Sequence, residues 1–476
     1  MKILLVNPPF VEAYGQYKAA AKVGAQPQMP LGLCYIGAVL ENKGHQMQII
    51  DADVEGMSIE DILTYIKTYR PDVFGVTGTT PIYASARKLL SEAKQANPQM
   101  VTIMGGFHLT ALPAQTMNEC SGADYGIIGE GEETIAELMD AIEQKKPVEN
   151  IAGIAYRRKD RQAVINPVRP PIDGLESIPF PARHLLKMDK YIWSVPGKGM
   201  VPVTSIITQR GCPFGCIFCG VNTMFPGKTR YRQLDSILNE IEQVLTKTPA
   251  THFMVCDDTL TLNKPKVLQM CDEVKKRHLK FTFEGYTHAS TVTKDILARL
   301  QEIGLVRLSF GVETGNQKIL KAINKGVTLE QIRQAYQWCY ELGMETRCSL
   351  MIGHPFETKE TIQETIELAK SLKCYQAYIN ITTPYPGSKL YHMAKEGFGG
   401  LRLLTDDWIQ YRRYGNAVME MNDLSVQDLI EYQRIAYKKF YMRPHIIWYN
   451  VKRAGFKAAM VNSLAFVKSV LMRQKS

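Results

Sequence analysis

The chain has 476 residues, of which 45% are hydrophobic and 22% charged, which excludes a disordered polymer and exceeds what one ordinary core holds, so two or three domains are expected. Ten Lys and Arg stand against one acidic residue between Glu431 and Ser476, a net of +9 out of +10, so the body is near neutral and argues against a nucleic-acid partner. The opening apolar run is too short for a secretory signal and no run of 18 apolar residues follows, so a cytoplasmic protein without a spanning helix is expected.

In chain order, Ile3–Val6 reads as a short strand ended by Asn7-Pro8-Pro9, Leu31–Lys43 as a helix closed by Gly44, and Met47–Asp51 as the next strand. Then come a helix at Ile59–Thr68, a strand at Val73–Thr77, a helix at Ala84–Ala96 and a strand at Val101–Met104 before Gly105-Gly106. Tyr125–Ile128 is a strand before Gly129-Glu130-Gly131, and Thr134–Gln144 a helix. This rhythm predicts an α/β, doubly wound, Rossmann-like domain over 1–145, with ligands at the C-terminal ends of its strands. Residues 146–200, with a short hairpin at Gly153–Ile165 and five prolines from Pro167 to Pro181, read as an ordered linker.

A second series follows over 201–400. Strands are expected at Thr204–Thr208, His252–Cys256, Lys280–Glu284, Leu305–Gly311, Glu345–Ile352 and Tyr378–Thr382. Helices fill the gaps at Leu234–Thr246, Lys264–Arg277, Lys294–Ile303, Leu329–Leu342 and Lys359–Leu372. Six such units predict a partial (β/α)6 TIM-like barrel. Residues 401–476 read as a helical C-terminal domain, with a basic amphipathic tail from His445 to Arg473. Lys452, Arg453, Lys457 and Lys468 share one arc there, with Ile446, Trp448, Val451, Phe456, Met460 and Leu464 as apolar residues. Such a tail suits an anionic membrane surface, or docks on the barrel with its basic face in water.

Seven of the ten cysteines are scattered singly, as reduced packing thiols are. Cys212, Cys216 and Cys219 are not. They stand in Arg210-Gly-Cys-Pro-Phe-Gly-Cys-Ile-Phe-Cys219, straight after a strand, with Gly211 and Gly215 allowing tight turns. Three such thiolates converge on a soft metal centre. An iron–sulfur cluster is favoured over structural zinc, which wants four ligands in two knuckles and finds no second pair nearby.

This Cx3Cx2C run resembles the signature of the radical S-adenosylmethionine (SAM) enzymes. The resemblance implies that Cys212, Cys216 and Cys219 hold a [4Fe–4S] cluster whose fourth iron takes SAM, and that an electron from a flavodoxin or ferredoxin cleaves SAM to a 5′-deoxyadenosyl radical. It also assigns SAM contacts to Phe218, to Asp257 and Asp258 after the second strand, and to Glu313 in Ser309-Phe-Gly-Val-Glu-Thr-Gly315. Gly353 in Met351-Ile-Gly-His-Pro355 and Pro384 in Thr382-Thr-Pro-Tyr-Pro-Gly387 complete the set. Thr287-His288 departs from the family, where Thr-Arg is usual.

The first domain resembles the cobalamin-binding domain fused to many of these enzymes. The corrinoid contacts so implied are Thr77, Gly78, Thr79, Thr80, Gly105, Gly106, His108, Gly129, Glu130 and Gly131. The Asp-x-His-x-x-Gly run that supplies a lower cobalt ligand elsewhere is missing, so base-off cobalamin is expected, the alternative being a fold kept without its cofactor. The likeness is to the group of the anaerobic magnesium-protoporphyrin ester cyclase and the hopanoid methylase. It implies methylation of an unactivated carbon in a small, apolar or lipid-like substrate, with oxidative cyclisation or rearrangement as the runner-up and a non-catalytic corrinoid sensor as the rival from another class. No individual catalytic residue is assigned.

Overall fold

The computed structural model describes residues 1–10, 26–158, 160–412, 414–421 and 423–454. Strands β1 (Lys2–Asn7), β2 (Gln46–Asp51), β3 (Val73–Thr77), β4 (Val101–Gly105) and β5 (Tyr125–Ile127) form a parallel sheet in the order β2-β1-β3-β4-β5. Their residues alternate between two cores: Leu4, Val6, Phe74 and Val76 face one helical layer, and Ile3, Leu5, Val73 and Ile103 the other. A sheet buried on both faces needs such near-continuous apolar strands.

The hairpin read as part of the linker joins this sheet. β6 (Ile154–Arg157) pairs antiparallel with β5, and β7 (Ala163–Ile165) with β6, so the sheet continues past residue 145. The proline-rich stretch is ordered, as expected, and bridges the two sheets. Ala182 N–H donates to Cys34 O (3.0 Å). Arg183 donates to Thr204 Oγ1 (3.0 Å) and pairs with Glu240, and the Tyr191 hydroxyl reaches Asp51 (2.7 Å).

The second sheet begins with an antiparallel pair, β8 (Ile192–Val195) and β9 (Gly199–Ile206). A small bracket, β10 (Gln209–Arg210) with β11 (Arg230–Tyr231), encloses the cysteine loop. From β9 the strands β12 (His252–Val255), β13 (Thr282–Thr287), β14 (Leu305–Glu313), β15 (Glu345–Ile352) and β16 (Gln376–Ile381) follow in parallel. These six parallel strands make the expected partial barrel. Its helices start where the sequence offers caps: Thr328 with Gln331 and Thr358 with Thr361 close capping boxes before Leu329–Glu341 and Lys359–Ser371.

The C-terminal segment touches both units. Leu401, Met419 and Met421 join the barrel's core, while Trp408, Tyr411 and Val418 join one core of the first sheet. The last described helix, Pro444–Ala454, buries Ile446 and stacks Tyr449 on Tyr375, with ring centroids 4.3 Å apart. Trp448 stands 70% exposed and Ile447 49%. The rest of the expected tail helix, with Phe456, Lys457, Met460, Leu464 and Lys468, lies outside the described residues.

Candidate active site

The site starts where β9 ends. Asp257, just past β12, accepts from Thr208 N–H (2.7 Å), Gln209 N–H (3.2 Å) and the Thr208 hydroxyl. It is 1% exposed and serves to turn the chain into the cysteine loop rather than to face a ligand. Gly211, at φ +93°, completes that turn. Burial pushes the Asp257 and Asp258 carboxyls up to about 6.

Cys212, Cys216 and Cys219 are all part-exposed and free. Burial pushes the Cys216 thiol up to about 11, with Lys325 opposing and Glu313 and the other two cysteines adding to the rise. Cys219 is raised as well, again by burial first. The cysteines are thus near enough to feel one another's charge, and a thiol binds metal only after losing its proton. Among the described residues no three His, Cys, Asp or Glu side chains close on a single ion.

Beside the loop lies a group the sequence did not reveal. The segment after helix Gln317–Ala322 runs along the cysteine loop: Ile217 N–H donates to Ile323 O (3.1 Å) and Asn324 Nδ2 to Gly215 O (2.9 Å). This carries Lys325 inward, where its Nζ meets Glu313 Oε1 at 2.6 Å and lies 5.8 Å from the Phe218 ring centre. Burial works against the ammonium, but Glu313 outweighs it and raises its pKa. Glu313 itself, at φ +66°, follows a register shift in β14. A Cβ on Gly311 would sit 2.4 Å from Glu313 Oε1 and 2.7 Å from Lys325 Nζ, so the pair occupies the space that Gly311 leaves open.

At the end of β15, Gly353 turns at φ +94°, and Glu357 accepts from its N–H and from that of His354 (3.0 Å). His354 is fully buried, held neutral with its pKa pushed down to about 3, and its ring centre lies 6.0 Å from that of Phe218. Pro384 is buried in the loop after β16, which Thr223 ties to the cysteine loop through Gly387 O (2.7 Å). Phe218, Glu313 and Gly353 thus gather around one end of the barrel. His288, where an arginine is usual, braces the same end: its ring stacks on Phe214 at 4.1 Å and its Nε2 bonds Lys325 O at 2.8 Å.

The C-terminal rim of the first sheet faces this end. Gly78 N–H donates to Gly105 O (2.9 Å), His108 N–H to Gly78 O (3.0 Å), and Gly129 N–H to Thr110 Oγ1 (3.0 Å). Gly106 takes φ +97°, and a Cβ there would strike Thr77 Oγ1 and Gly78 within 2.8 Å. Thr79 is exposed on this rim, while Thr80 and His108 are buried and bonded to each other (3.1 Å). Nothing lies within 4 Å of where a Cβ on Gly129 would stand, so the backbone of the rim is open to a ligand there. His108 stacks on Tyr83 and meets Trp408 edge-on, and burial pushes its pKa down to about 3. His45, the first histidine in the chain, lies at the opposite strand ends beside the N-terminal amine (3.3 Å).

Glu130 has its carboxylate engaged by Arg210 and Arg230 of the second unit, both at 2.7 Å. Arg210 also meets Glu132 at 2.5 Å. These arginines were missed because their partners lie 80 and 100 residues away.

The radical SAM superfamily profile matches residues 206–369, and the B12 binding domain profile matches residues 17–139. An uncharacterised methyltransferase of Pyrococcus horikoshii is 33% identical over 94% of this chain and 94% of its own. The anaerobic magnesium-protoporphyrin IX monomethyl ester cyclase of Rubrivivax gelatinosus is 28% identical over 94% of this chain and 79% of its own. Among solved structures, the radical SAM methyltransferase TsrM of Kitasatospora setae, with cobalamin and a [4Fe–4S] cluster bound, covers 98% of each chain at TM-score 0.74 and 18% identity. The chain belongs to the radical SAM enzymes that carry a B12-binding domain, and its cofactors are a [4Fe–4S] cluster, SAM and cobalamin.

Proposed function

We propose that this enzyme transfers a methyl group to an unactivated carbon of a small, apolar or lipid-like molecule. The observation that carries the reading is the opposition of two prepared sites: the glycine–threonine rim of the first sheet and the cysteine loop of the barrel, held together by buried ion pairs. When bound, the cluster and SAM supply radical chemistry and the corrinoid a transferable methyl group.

The chain's own residues do the rest. Cys212, Cys216 and Cys219 hold the cluster. Glu313 takes the ammonium of SAM by a charge-assisted hydrogen bond, and Phe218, Gly353 and Pro384 shape the walls around it. Asp258 acts from the loop side, while Asp257 fixes that loop. Thr77, Thr79, Gly105, Gly106, Gly129 and Gly131 line the corrinoid. His45 lies at the opposite strand ends and His108 is buried against Thr80, so among the described residues neither is offered to cobalt, in keeping with base-off binding. We assign corrinoid binding to 1–145, SAM chemistry to 201–400, the join to 146–200 and a cap to 401–476.

A cytoplasmic flavodoxin or ferredoxin supplies the electron. The basic tail, beside exposed Trp448 and Ile447, rests on the anionic inner face of a membrane. Among the described residues no helix is long and apolar enough to cross one. A second reading, oxidative cyclisation without methyl transfer, is favoured by the likeness to the ester cyclase.

Strains with and without the protein, grown on methyl-deuterated methionine, separate the two. Label gained in a lipid or other small molecule only when the protein is present supports methyl transfer and identifies the acceptor. A new product without label supports cyclisation.

A further inference from the structure

Two contacts join the corrinoid rim to the cysteine loop, one before the first cysteine and one after the last. Before it, Arg210 stands two residues from Cys212 and reaches Glu130 Oε1 (2.7 Å) with Nη1 and Glu132 Oε1 (2.5 Å) with Nη2. Arg230, its partner in the β10–β11 bracket, takes Glu130 Oε2 (2.7 Å) and also donates to Ile172 O (2.5 Å), while Ile172 N–H donates to Glu130 (2.9 Å). Two positive and two negative groups balance. Arg210 is 6% exposed, Glu130 9% and Glu132 6%, and the rings of Tyr35 and Phe225 lie 5.3 and 5.8 Å from the Arg210 guanidinium. After the last cysteine, Gly220 faces Phe107, the residue that follows Gly105-Gly106 on the rim. A Cβ on Gly220 would come within 2.2 Å of the Phe107 ring, although its φ of −95° suits any residue.

We propose that this quartet, with the Phe107–Gly220 contact, is a spacer that fixes the distance between the corrinoid and the iron–sulfur cluster; it rests on the reading that both bind as assigned. Glu130 lies between the rim glycines Gly129 and Gly131, so the path from corrinoid rim to cysteine loop is two short stretches of backbone and one guanidinium. Buried charge of this kind is poor stabiliser but good register: the ions hold only when both units meet in one geometry. A guanidinium holds two carboxylates in one fixed planar fork, whereas a lysine ammonium offers donors without that fixed geometry. Gripping the loop at both ends leaves it no freedom to rock against the rim. Arg210, Glu132, Phe107 and Gly220 are thus positioning residues.

The test is the distance between reduced [4Fe–4S] cluster and cob(II)alamin in the reconstituted holoprotein, read by pulsed electron paramagnetic resonance. The wild type gives one narrow distribution. Arg210→Gln broadens or displaces it with iron and corrinoid at full occupancy, and Arg210→Lys has a smaller effect. Arg307→Gln, a buried pair with Glu284 in the barrel, lowers the melting temperature and leaves the distance alone. An Arg210→Gln distribution that matches wild type, or moves no more than that of Arg307→Gln, overturns the proposal. Where Arg210→Gln loses its cluster, Gly220→Ala decides, since it keeps every charge: displacement supports the spacer, and an unchanged distance overturns it. A wild type that takes up no corrinoid shows this in its absorption spectrum first, and sinks the cofactor reading and the spacer together.

Discussion

Lys325 places a buried cation beside the cysteines proposed to hold the cluster. Its ammonium faces Glu313 at 2.6 Å, with Cys216 and Cys219 close enough to feel its charge. A positive group near a cluster favours the reduced form. Lys325→Met should therefore lower the cluster's reduction potential, on the order of tens of millivolts at an effective dielectric near 20. Redox titration followed by electron paramagnetic resonance reads this, and an unchanged potential would remove Lys325 from the cluster's surroundings. Glu357 gives a second prediction. Burial raises its carboxyl to about 7 from 4.5, so the folded state prefers it neutral. That preference stabilises fully below about pH 4.5 and is lost as pH rises toward 7, at up to about 1.4 kcal/mol per pH unit. Glu357→Gln keeps an acceptor for the Gly353 and His354 N–H groups without the titration. Its stability relative to wild type should improve from pH 5 to pH 8 in denaturant unfolding; an equal gap at both would exclude this origin.

At the scale of elements, the cysteine loop is the part most clearly written in the sequence, because three metal-binding residues lie within eight positions. Replacing Cys212, Cys216 and Cys219 together by Ala should abolish iron uptake and SAM cleavage, while Cys34→Ala and Cys374→Ala, in packed cores, should do neither. Iron analysis and a SAM-cleavage assay check both; a triple variant that keeps its iron would falsify the assignment. Strands bounded by turn residues were equally legible, and β3 and β15 lie at the expected Val73–Thr77 and Glu345–Ile352. β8, four residues long, and helix Gln317–Ala322 are too short to show a period. The clamp was illegible for another reason. Arg210 and Glu130 are ordinary surface types in sequence, and only the docking of two sheets buries them together. Asp257 shows the opposite failure: an acid in the right motif whose carboxylate the loop had already claimed.

For the whole molecule, charge placement is the ground for the proposed membrane contact. Met442, just before the last described helix, and Ile447 and Trp448 within it are exposed, at 57%, 49% and 70%. Arg443 lies among them, and Lys373 is near enough to lower the pKa of His445, after burial and Arg443. The remaining cations of the tail, Lys457, Lys468, Arg473 and Lys475, follow outside the described residues. Each Lys or Arg near an anionic leaflet contributes roughly 1 kcal/mol, and an inserted Trp adds apolar burial. Four or five such charges hold a protein loosely and reversibly. The contact must also weaken with salt, because the Debye length is only about 8 Å at physiological ionic strength. The enzyme should therefore float with anionic vesicles at low salt and less at high salt, and a chain ending at Arg443 should stay behind. If the full chain ignores the vesicles, or the shortened one floats equally well, the tail serves packing alone, and the case for a lipid-like substrate loses its physical support. If it floats, a water-poor acceptor can pass from the leaflet toward the cleft between rim and loop without crossing bulk solvent.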